Sequence, residues 1–415
     1  MVFLECLSET REESGTESKA TRNATMRIGV DATCWQNNRG YGRHLRSLLG
    51  ALVNCDAENR YTFFMDSNNA VADLPAAVEL RTIQSRTPTV FAASANGHRS
   101  LSDMFRMARA LSRAKLDLLL FPTIYSYVPV VSRAKKIVMI HDVIAERYPA
   151  LTMPGRRARL FWKTKVALGR WQADAIATVS DYSRRGLVEY FGMDAERVYV
   201  IGEASDPVFR LLDEARLTPR LKSLGLSNNQ RAIVYVGGFS PHKNLEMLVA
   251  GFAKLAPQSS FSDVVLVLVG EHEREVFHSY AATIKKQIQK FGLAERVIFT
   301  GYLPDNELVV LLNLAAVSVL PSLIEGFGLP AVEAAACGCP VIATTESPLP
   351  ALLGEGGLYF DPTRPQELEN ALIRVLEAGT QRRRMGEAAR KAASRLTWEA
   401  AAQQMVSLIR KVASS

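Results

Sequence analysis

Two carboxylates flank a glycine-rich segment in the second half of the chain, at a spacing suited to a bound anion. Glu325 and Glu333 enclose Gly326-Phe327-Gly328-Leu329-Pro330, which follows an apolar run ending near Leu320. Glycines let the backbone approach a ligand closely, and proline is favoured in the first turn of a helix. The free amides of such a helix start attract phosphate. We therefore expect Glu325 and Glu333 to contact different parts of one bound molecule.

A second glycine turn would complete this anion site. Gly237 and Gly238 follow the apolar run Ala232 to Val236, and Lys243 comes shortly after them. A lysine about 4 Å from a phosphate contributes roughly 4 kcal/mol at an effective dielectric of about 20. A helix terminus contributes only about 0.3–1 kcal/mol, so Lys243 is expected to dominate diphosphate binding. One glycine turn alone is equally typical of a plain turn, and the interpretation depends on the pair of loops.

The elements that must position these loops alternate between apolar strands and helical patterns in both halves of the chain. Predicted strands are Met26 to Asp31, Tyr61 to Met65, Asp117 to Phe121, Ile137 to His141, Ala175 to Ser180, Val198 to Ile201, Ala232 to Val236, Val264 to Val269, Val297 to Thr300, Val317 to Leu320 and Val341 to Ala343. This alternation is typical of parallel sheets covered on both faces. We predict an α/β fold with two doubly wound, Rossmann-like domains facing each other across a cleft, where ligands of such sheets bind.

The chain is expected to divide into an extension, two domains and a final helix. Residues 1–25 lack the basic start and apolar core of a signal peptide, and we interpret them as a disordered extension or a misassigned start. Residues 26–205 form the first domain, 206–229 the linker, 230–395 the second domain and 396–415 the final helix. The linker is predicted from Pro207, Pro219 and Gly225, which interrupt the alternation.

Charge and composition narrow the classes of protein and partner. The formal charge is +8, and residues 26–205 hold 25 basic against 16 acidic side chains. A one-sided basic field favours anionic partners, such as nucleic acid, an acidic membrane surface or anionic small molecules. With 48% hydrophobic and 22% charged residues, disordered and collagen-like classes are excluded. Five thinly spread cysteines exclude a disulfide scaffold and indicate a reducing compartment.

The densest basic patch lies on a predicted amphipathic helix over residues 156–172. Its apolar stripe comprises Leu160, Phe161, Thr164, Ala167, Leu168 and Trp171, and most of its basic residues fall off that stripe. Such a helix could lie on anionic lipid. The simpler interpretation, which the sequence favours, is that the stripe packs on the domain's own core and leaves a basic face in solvent.

These motifs resemble those of the retaining glycosyltransferases of family 4, which have the two-domain GT-B fold, and among them the mannosyltransferases. The resemblance runs from about Met26 to the C-terminal end, and its most specific element is the pair Glu325 and Glu333 around the glycine segment. Further matches are Gly40-Tyr41-Gly42-Arg43, Ile140-His141-Asp142, Ala177-Thr178-Val179-Ser180 with Ser183, and Thr300-Gly301-Tyr302-Leu303-Pro304.

The resemblance implies a role for each matching residue of the second domain, which would hold the donor. Lys243 and the amides of Gly328 and Leu329 would hold the donor diphosphate. Glu333 would bind the ribose hydroxyls and Glu325 the hydroxyls of the transferred sugar. The expected donor-binding set is Gly40, Gly42, Gly237, Gly238, Lys243, Tyr302, Leu303, Gly326, Phe327, Gly328, Leu329 and Glu333.

The first domain would serve the acceptor and face the donor sugar. By the resemblance, His141 lies against that sugar, Asp142 lies on the acceptor side, and both join Glu325 as the catalytic set. Gly40 and Gly42 would let the chain approach the phosphates, Tyr302 and Leu303 would lie against the base, and the last helix would cross back to this domain. From the residues alone, a lone histidine such as His141 at the end of an apolar strand is more often a core residue. Asp142 could equally be a helix cap, and the two glycines a plain strand-to-helix turn.

One departure from the family pattern concerns the charge on the diphosphate. Gly238 stands where many members have an arginine, which leaves Lys243 without its usual partner. His242 or Arg43 could replace that charge, or backbone amides could carry more of it. This departure concerns the geometry at the diphosphate and leaves the expected class of reaction unchanged.

The expected activity is transfer of a hexose, with mannose from GDP-mannose as our guess, to a cell-envelope glycan or a lipid-linked acceptor. No Asp-x-Asp pair is present, so we expect neither a metal ion nor a cofactor. We expect a cytoplasmic protein, peripheral at the inner face of the membrane, with no nucleic-acid partner. Alternatives are a nucleotide-sugar epimerase or hydrolase on the same fold, or a non-catalytic bilobed ligand-binding protein. A dinucleotide oxidoreductase is disfavoured because neither loop reads G-x-G-x-x-G.

Overall fold

The computed structural model describes residues 25–37, 40–66, 74–86, 100–153, 155–271 and 280–415. The predicted extension over residues 1–25 lies, except for Thr25, outside the described residues, and so does Cys6. The described residues form two parallel sheets with helices on both faces, which confirms the predicted fold class. The other four cysteines are free thiols.

The first sheet is parallel throughout and has the strand order β3-β2-β1-β4-β5-β6-β7. Its strands are β1 (Arg27–Asp31), β2 (Arg60–Met65), β3 (Val78–Thr82), β4 (Leu118–Phe121), β5 (Lys135–Met139), β6 (Ala175–Thr178) and β7 (Val198–Val200). Val30 of β1 pairs with Phe63 on one side and Leu120 on the other. All three side chains are fully buried, because helices cover both faces of the sheet.

The helices of this domain form two layers. They are α1 (Gly40–Cys55), α2 (Leu101–Arg113), α3 (Ile144–Arg147), α4 (Pro149–Thr152), α5 (Arg156–Gln172) and α6 (Asp181–Phe191). Leu45 and Leu48 of α1 belong to the core on one face of the sheet. Met107 of α2, Val166 of α5 and Leu187 of α6 belong to a separate core on the other face.

The second sheet repeats this arrangement with the order β10-β9-β8-β11-β12-β13. Its strands are β8 (Arg231–Val236), β9 (Val264–Val269), β10 (Val297–Gly301), β11 (Val317–Leu320), β12 (Val341–Thr344) and β13 (Gly357–Phe360). The helices after the first domain are α7 (Pro219–Ser223), α8 (Leu245–Leu255), α9 (Ala281–Lys290), α10 (Asp305–Leu314), α11 (Leu329–Ala336), α12 (Leu349–Leu353), α13 (Pro365–Glu377), α14 (Gly379–Ala393) and α15 (Trp398–Ser414). β8 lies between β9 and β11. The connection after β8 therefore runs to one side of the sheet, and the later strands are added on the other side. In parallel α/β sheets such a reversal leaves a crevice at the carboxyl ends of the strands, where ligands bind.

The last helix, α15, packs against α1 of the first domain. Met405 and Ile409 are fully buried there, and the Gln404 side chain accepts a hydrogen bond from the Gly202 amide at 2.9 Å. The C-terminal segment therefore contributes to the core of the domain that begins the chain.

Two strands and several helices, α6 among them, were missing from the sequence prediction. β3 and β13 are edge strands of their sheets; β3 is largely exposed and reads VELRT, so it lacks a continuous apolar run. Helix α6 starts immediately after β6, where Ser180 Oγ accepts from the Ser183 amide as an N-cap. Predicted strands that included His141 and Ser180 end earlier, at Met139 and Thr178, which leaves both residues in the loops beyond the sheet.

The basic helix packs on its own domain, as the favoured interpretation expected, but the predicted apolar stripe is the wrong face. Within α5, Leu160, Phe161 and Trp171 of the predicted stripe are 68%, 45% and 78% exposed. The helix packs instead through Lys165, Val166 and Gly169. An added Cβ at Gly169 would lie 2.7 Å from Ile124 Cδ1, so this narrow face approaches the core more closely than the bulky stripe could.

The buried Lys165 ammonium hydrogen bonds the Tyr125 carbonyl, which lets a charged side chain face inward. None of the helices in the described ranges is long and apolar enough to span a bilayer.

Candidate active site

The glycine segment lies between β11 and α11, at the carboxyl edge of the second sheet. Gly328 is the N-cap of α11 with φ of +89°, a backbone conformation that favours glycine. An added Cβ there would lie 2.9 Å from Leu349 Cδ1, so the position is sterically closed as well. Among the described residues, the Gly328 and Leu329 amides have no hydrogen-bond acceptor. These amides are therefore free to bind an anion.

Glu325 sits directly before this segment and forms an ion pair with Lys243 from the other glycine loop. Lys243 Nζ lies 2.7 Å from Glu325 Oε1, and the Ser322 hydroxyl donates to the same oxygen at 2.5 Å. Burial acts to raise the pKa of Glu325, but the charge and hydrogen bond of Lys243 outweigh it, and the pKa is lowered overall. The carboxylate is therefore ionised at neutral pH.

The loop that carries Lys243 follows β8. Gly237 has φ of +155°, and the Tyr235 hydroxyl donates to the Gly238 carbonyl at 2.5 Å. The Leu323 amide donates to the His242 carbonyl at 2.8 Å, which joins this loop to the glycine segment. Burial, and then Lys243, lower the pKa of His242 to about 4. His242 is therefore neutral at pH 7 and does not replace the missing arginine charge in this state.

Arg43, the other candidate for that charge, crosses from the first domain to Glu333. Its guanidinium forms ion pairs with Glu333 on α11 and with Asp305 at the start of α10. Burial raises the pKa of Glu333 to about 7, although Arg43 acts to lower it. The carboxylate expected to bind ribose is thus paired with a cation of the opposite domain. This contact was not anticipated from the sequence.

His141 and Asp142 follow β5 and lie at the same crevice. The His141 ring is edge-on to Tyr41 and to His44, with ring centroids 5.4 and 4.8 Å away. Burial, and then His44, hold its pKa well below the ordinary value, so the imidazole is neutral. Neither of its ring nitrogens hydrogen bonds to a described residue. The ring is thus available to a ligand.

Asp142 connects the two domains. Its Oδ1 accepts a hydrogen bond at 2.9 Å from the amide of Ile144, the first residue of α3, although Val143 occupies the N-cap position. Burial raises its pKa to about 6. An added Cβ at Gly326 would lie 2.9 Å from Asp142 Cβ, which means that the glycine segment of the second domain touches this residue. Gly326 therefore permits the close approach of the two domains.

Two serines of the first domain stabilise the contact between the glycine segment and the first domain. Ser180 Oγ and Ser183 Oγ both donate to the Gly326 carbonyl, at 2.7 and 3.0 Å. Tyr182, between them, donates to Glu346 Oε2 at 2.8 Å. The start of α6 thus holds the loop between Glu325 and the α11 N-terminus. The sequence contained the serines as a motif, but no signal in it indicated their partner.

The remaining predicted residues occupy two further positions. Gly42 is buried in α1, and an added Cβ would lie 1.8 Å from the Asn37 carbonyl oxygen, whereas Gly40 is open to solvent. Tyr302 follows β10 and is 53% exposed; its carbonyl accepts from Arg220 at 2.8 Å. Leu303 beside it is buried. Tyr302 thus offers an open apolar surface at the carboxyl edge of the second sheet.

One cluster in the described part of the chain brings together possible metal ligands. His44, His141 and Glu203 are buried, and their ligand atoms lie within 4.8 Å of one another. Zinc lies about 2 Å from each ligand atom, which requires ligand atoms no more than about 4 Å apart. His44 Nδ1 is 2.8 Å from Glu203 Oε1. The arrangement is better described as a Glu203–His44 pair that supports the His141 ring.

Comparison with known proteins places this site in a family. Residues 38–207 match the family described as Glycosyltransferase Family 4, and residues 220–392 match Glycosyl transferases group 1. A D-inositol 3-phosphate glycosyltransferase of Corynebacterium glutamicum is 29% identical over 57% of this chain and 57% of its own length. The serotype-specific mannosyltransferase WbdA of Escherichia coli is 26% identical over 85% of this chain and 44% of its own length. The chain thus spans about half the length of these curated relatives.

Among solved structures, a sucrose-phosphate synthase from Thermosynechococcus elongatus superposes with a TM-score of 0.72 at 22% identity. The match covers 94% of this chain and all of that one, which extends the fold likeness over both domains. With both halves matched in order by glycosyltransferase families and the two-domain architecture shared, the chain belongs to glycosyltransferase family 4 and has the GT-B fold.

Proposed function

We propose that the chain is a retaining hexosyltransferase that uses a nucleotide-diphosphate sugar and works without a metal ion. GDP-mannose is the first donor to test, because a relative matched over most of the chain is a mannosyltransferase. The proposed acceptor is a glycan or lipid-linked glycan at the inner face of the membrane. The observation that carries the proposal is the convergence of Lys243, Glu325 and the free amides at the start of α11.

The diphosphate is proposed to bind between Lys243 and the α11 N-terminus. Negative charge grows on the leaving phosphate as the sugar bond breaks, and fixed positive groups stabilise that charge more than the ground state. Lys243 supplies a full charge, and the amides of Gly328 and Leu329 supply hydrogen bonds. To reach the phosphate, Lys243 must exchange its ion pair with Glu325 for one with the donor.

The same exchange prepares the two carboxylates for their proposed ligands. Once Lys243 turns to the phosphate, Glu325 is free to accept hydrogen bonds from the hydroxyls of the transferred sugar. Glu333 is proposed to accept from the ribose hydroxyls, in place of or beside Arg43. Because both carboxylates are buried, their hydrogen bonds to a donor would form away from water.

The first domain is proposed to complete the site with His141 and Asp142, on the side of the crevice opposite the donor-binding loops. The neutral His141 ring can donate or accept one hydrogen bond to the sugar, and the Glu203–His44 pair fixes its position. Asp142 is proposed to orient the acceptor hydroxyl. The contact between Asp142 and Gly326 supports a closed arrangement that opens to admit the donor and closes to exclude water.

A donor panel in EDTA tests this proposal. Thermal shift and nucleotide release are measured with UDP-, GDP-, ADP- and dTDP-hexoses, for the native chain and for Lys243→Ala. We expect one nucleotide class to stabilise the native chain, with a much weaker effect on the variant. The matched control is Lys254→Ala, since Lys254 forms a 2.8 Å ion pair with Glu369 on the same domain away from the crevice.

The outcomes separate the alternatives. Nucleotide release only in the presence of an acceptor supports the proposal. Equal nucleotide release without any acceptor indicates a hydrolase, and an isomerised nucleotide sugar formed without any acceptor indicates an epimerase. Binding without turnover under any acceptor indicates a ligand-binding protein. An absolute requirement for a divalent metal ion, or no nucleotide sugar binding at all, contradicts the proposal.

A further inference from the structure

Exposed large apolar side chains concentrate on one layer of the first domain. Helices α2, α5 and α6 cover one face of the first sheet, and the segment before β5 lies beside them. Seven of the twelve exposed large apolar side chains in the described residues lie on this outer layer: Leu101, Phe105, Val131, Leu160, Phe161, Trp171 and Tyr190. Scattered apolar side chains need no explanation, but such a concentration marks an interaction surface.

The same layer carries the positive charge of the chain. Helices α2 and α5 together contain nine basic residues and one acidic residue, Asp103. Asp103 is buried and its carboxylate already pairs with Arg106 and accepts from the Arg86 amide. Helix α5 has no acidic residue at all. Its outward charge is therefore uncompensated within the helix.

A shallow groove of about 300 Å³ lies at the C-terminal end of the α5 stripe. Arg170 and Arg197 line it beside Trp171 and Met193. Arg170 Nε is buried and finds no hydrogen-bond acceptor among the described residues. Asp194 also lines the groove, but its carboxylate accepts from the Glu196 amide of its own turn. Two guanidinium groups beside an exposed indole suit a phosphate attached to an apolar chain.

We propose that the outer layer docks on a bilayer that contains anionic phospholipid, with Leu160, Phe161 and Trp171 inserted between the headgroups. The basic side chains of α2 and α5 would lie at the level of the lipid phosphates, and the Arg170–Arg197 groove would receive one of them. An amphipathic helix with a basic flank and an apolar stripe binds a membrane in this way. A nucleic acid would satisfy the charge but would leave the leucines in water.

The position of α5 connects this surface to the acceptor side of the site. On its inward face, Trp162 Nε1 donates to Glu146 Oε1 at 2.7 Å, and the Trp162 ring lies 4.9 Å from that of Tyr125. Glu146 belongs to α3, which begins two residues after Asp142. The proposed membrane-binding surface therefore lies on the opposite side of α5 from the segment after Asp142, which is proposed to hold the acceptor. For this link the inference rests on the proposed function, but membrane docking itself does not.

Vesicle flotation without any donor tests the docking. The full chain is mixed with vesicles of phosphatidylcholine alone or of phosphatidylcholine with phosphatidylglycerol. We expect flotation only with the anionic vesicles, and release at high salt. The variant Leu160→Ser/Trp171→Ser should lower the partition coefficient roughly tenfold or more. Arg156→Gln/Arg157→Gln should lower it roughly fivefold for each charge removed. Both pairs are exposed, so folding is preserved.

The control variant is Phe291→Ser, which removes an apolar side chain that is 41% exposed on the second domain and should float like the native chain. Equal flotation of the native chain and Leu160→Ser/Trp171→Ser, or equal binding to both vesicle types, would overturn the proposal. A lipid-free dimer that the same substitutions dissociate would assign the surface to a second copy instead. Nucleotide-sugar binding, measured separately by thermal shift, should be unchanged in these variants, so failure of docking and failure of the proposed activity are distinguished.

Discussion

Replacing Lys243 by methionine tests the ion pair at the centre of the site. The substitution leaves Glu325 buried with the Ser322 hydrogen bond but without a counter-charge. Removing one partner of a fully buried pair costs about 3–5 kcal/mol, whereas exposed pairs contribute at most about 1 kcal/mol. The Lys243 side chain is 22% exposed and that of Glu325 9%. We therefore expect a loss of about 2–3 kcal/mol in the free energy of unfolding.

Donor binding should fall for a separate reason. A lysine about 4 Å from a phosphate contributes roughly 4 kcal/mol, but Lys243 must first give up Glu325. The net contribution is therefore about 2 kcal/mol, which corresponds to a roughly thirtyfold rise in the Kd of the nucleotide sugar. Calorimetric titration measures this Kd, and thermal melting should show a drop of roughly 5–10 °C.

The double variant Lys243→Met/Glu325→Gln separates the two effects. Neutralising Glu325 removes the unpaired buried charge, so most of the stability should return while the Kd stays high. Glu325→Gln alone should keep nucleotide binding and lose turnover. The control Lys254→Met should change neither quantity by much, because that pair is on the surface. Unchanged donor affinity in Lys243→Met, or no recovery of stability in the double variant, would refute the reasoning.

Three further expectations concern the contacts around the glycine segment. Gly328→Ala should lower the free energy of unfolding by about 1–2 kcal/mol or more, because φ at this position is +89°. Thermal melting and donor titration measure the effect, and an unchanged melting temperature with unchanged donor affinity would contradict it. Ser180→Ala/Ser183→Ala leaves the Gly326 carbonyl without its two hydrogen-bond donors, so proteolysis or hydrogen exchange at the domain contact should become faster. Unchanged rates would show that the two serines do not stabilise the contact between the domains. Burial raises the pKa of Glu333 from 4.5 to about 7. The ionised carboxylate therefore lowers the free energy of unfolding by roughly 3 kcal/mol above pH 7, and this stability returns as the pH falls from 7 towards 4.5 and the carboxylate is protonated. Donor binding that needs the ionised carboxylate should instead strengthen as the pH rises through 7, and Glu333→Gln should abolish both dependences.

The parts of the site that the sequence predicted are contiguous in the chain. Glu325, the glycines and the α11 start form one strand–loop–helix unit, and local backbone chemistry determines how such a unit presents its amides. The αL conformation of Gly328 and the free amides agree with that expectation. The roles of the individual residues remain predictions.

The contacts that the sequence did not predict join residues far apart in the chain. Arg43 reaches Glu333 and Asp305, and Ser180 reaches Gly326, across the two domains. No local pattern encodes such partners, because they depend on how two separately folded sheets pack. The same holds for His242, whose type suggested a spare cation but whose burial makes it neutral.

By itself, the sequence determined the α/β class, the alternation of most strands and helices, and the loop chemistry at the carboxyl ends of β8 and β11, since apolar periodicity and glycine placement act over a few residues. Only the tertiary structure decided which face of α5 is buried. Both faces of that helix contain apolar atoms. The narrow face at Gly169 is the buried one, because only a residue without a side chain fits there: an added Cβ would lie 2.7 Å from Ile124 Cδ1. Packing density depends on shape across many distant residues, and a single-sequence pattern contains no measure of it.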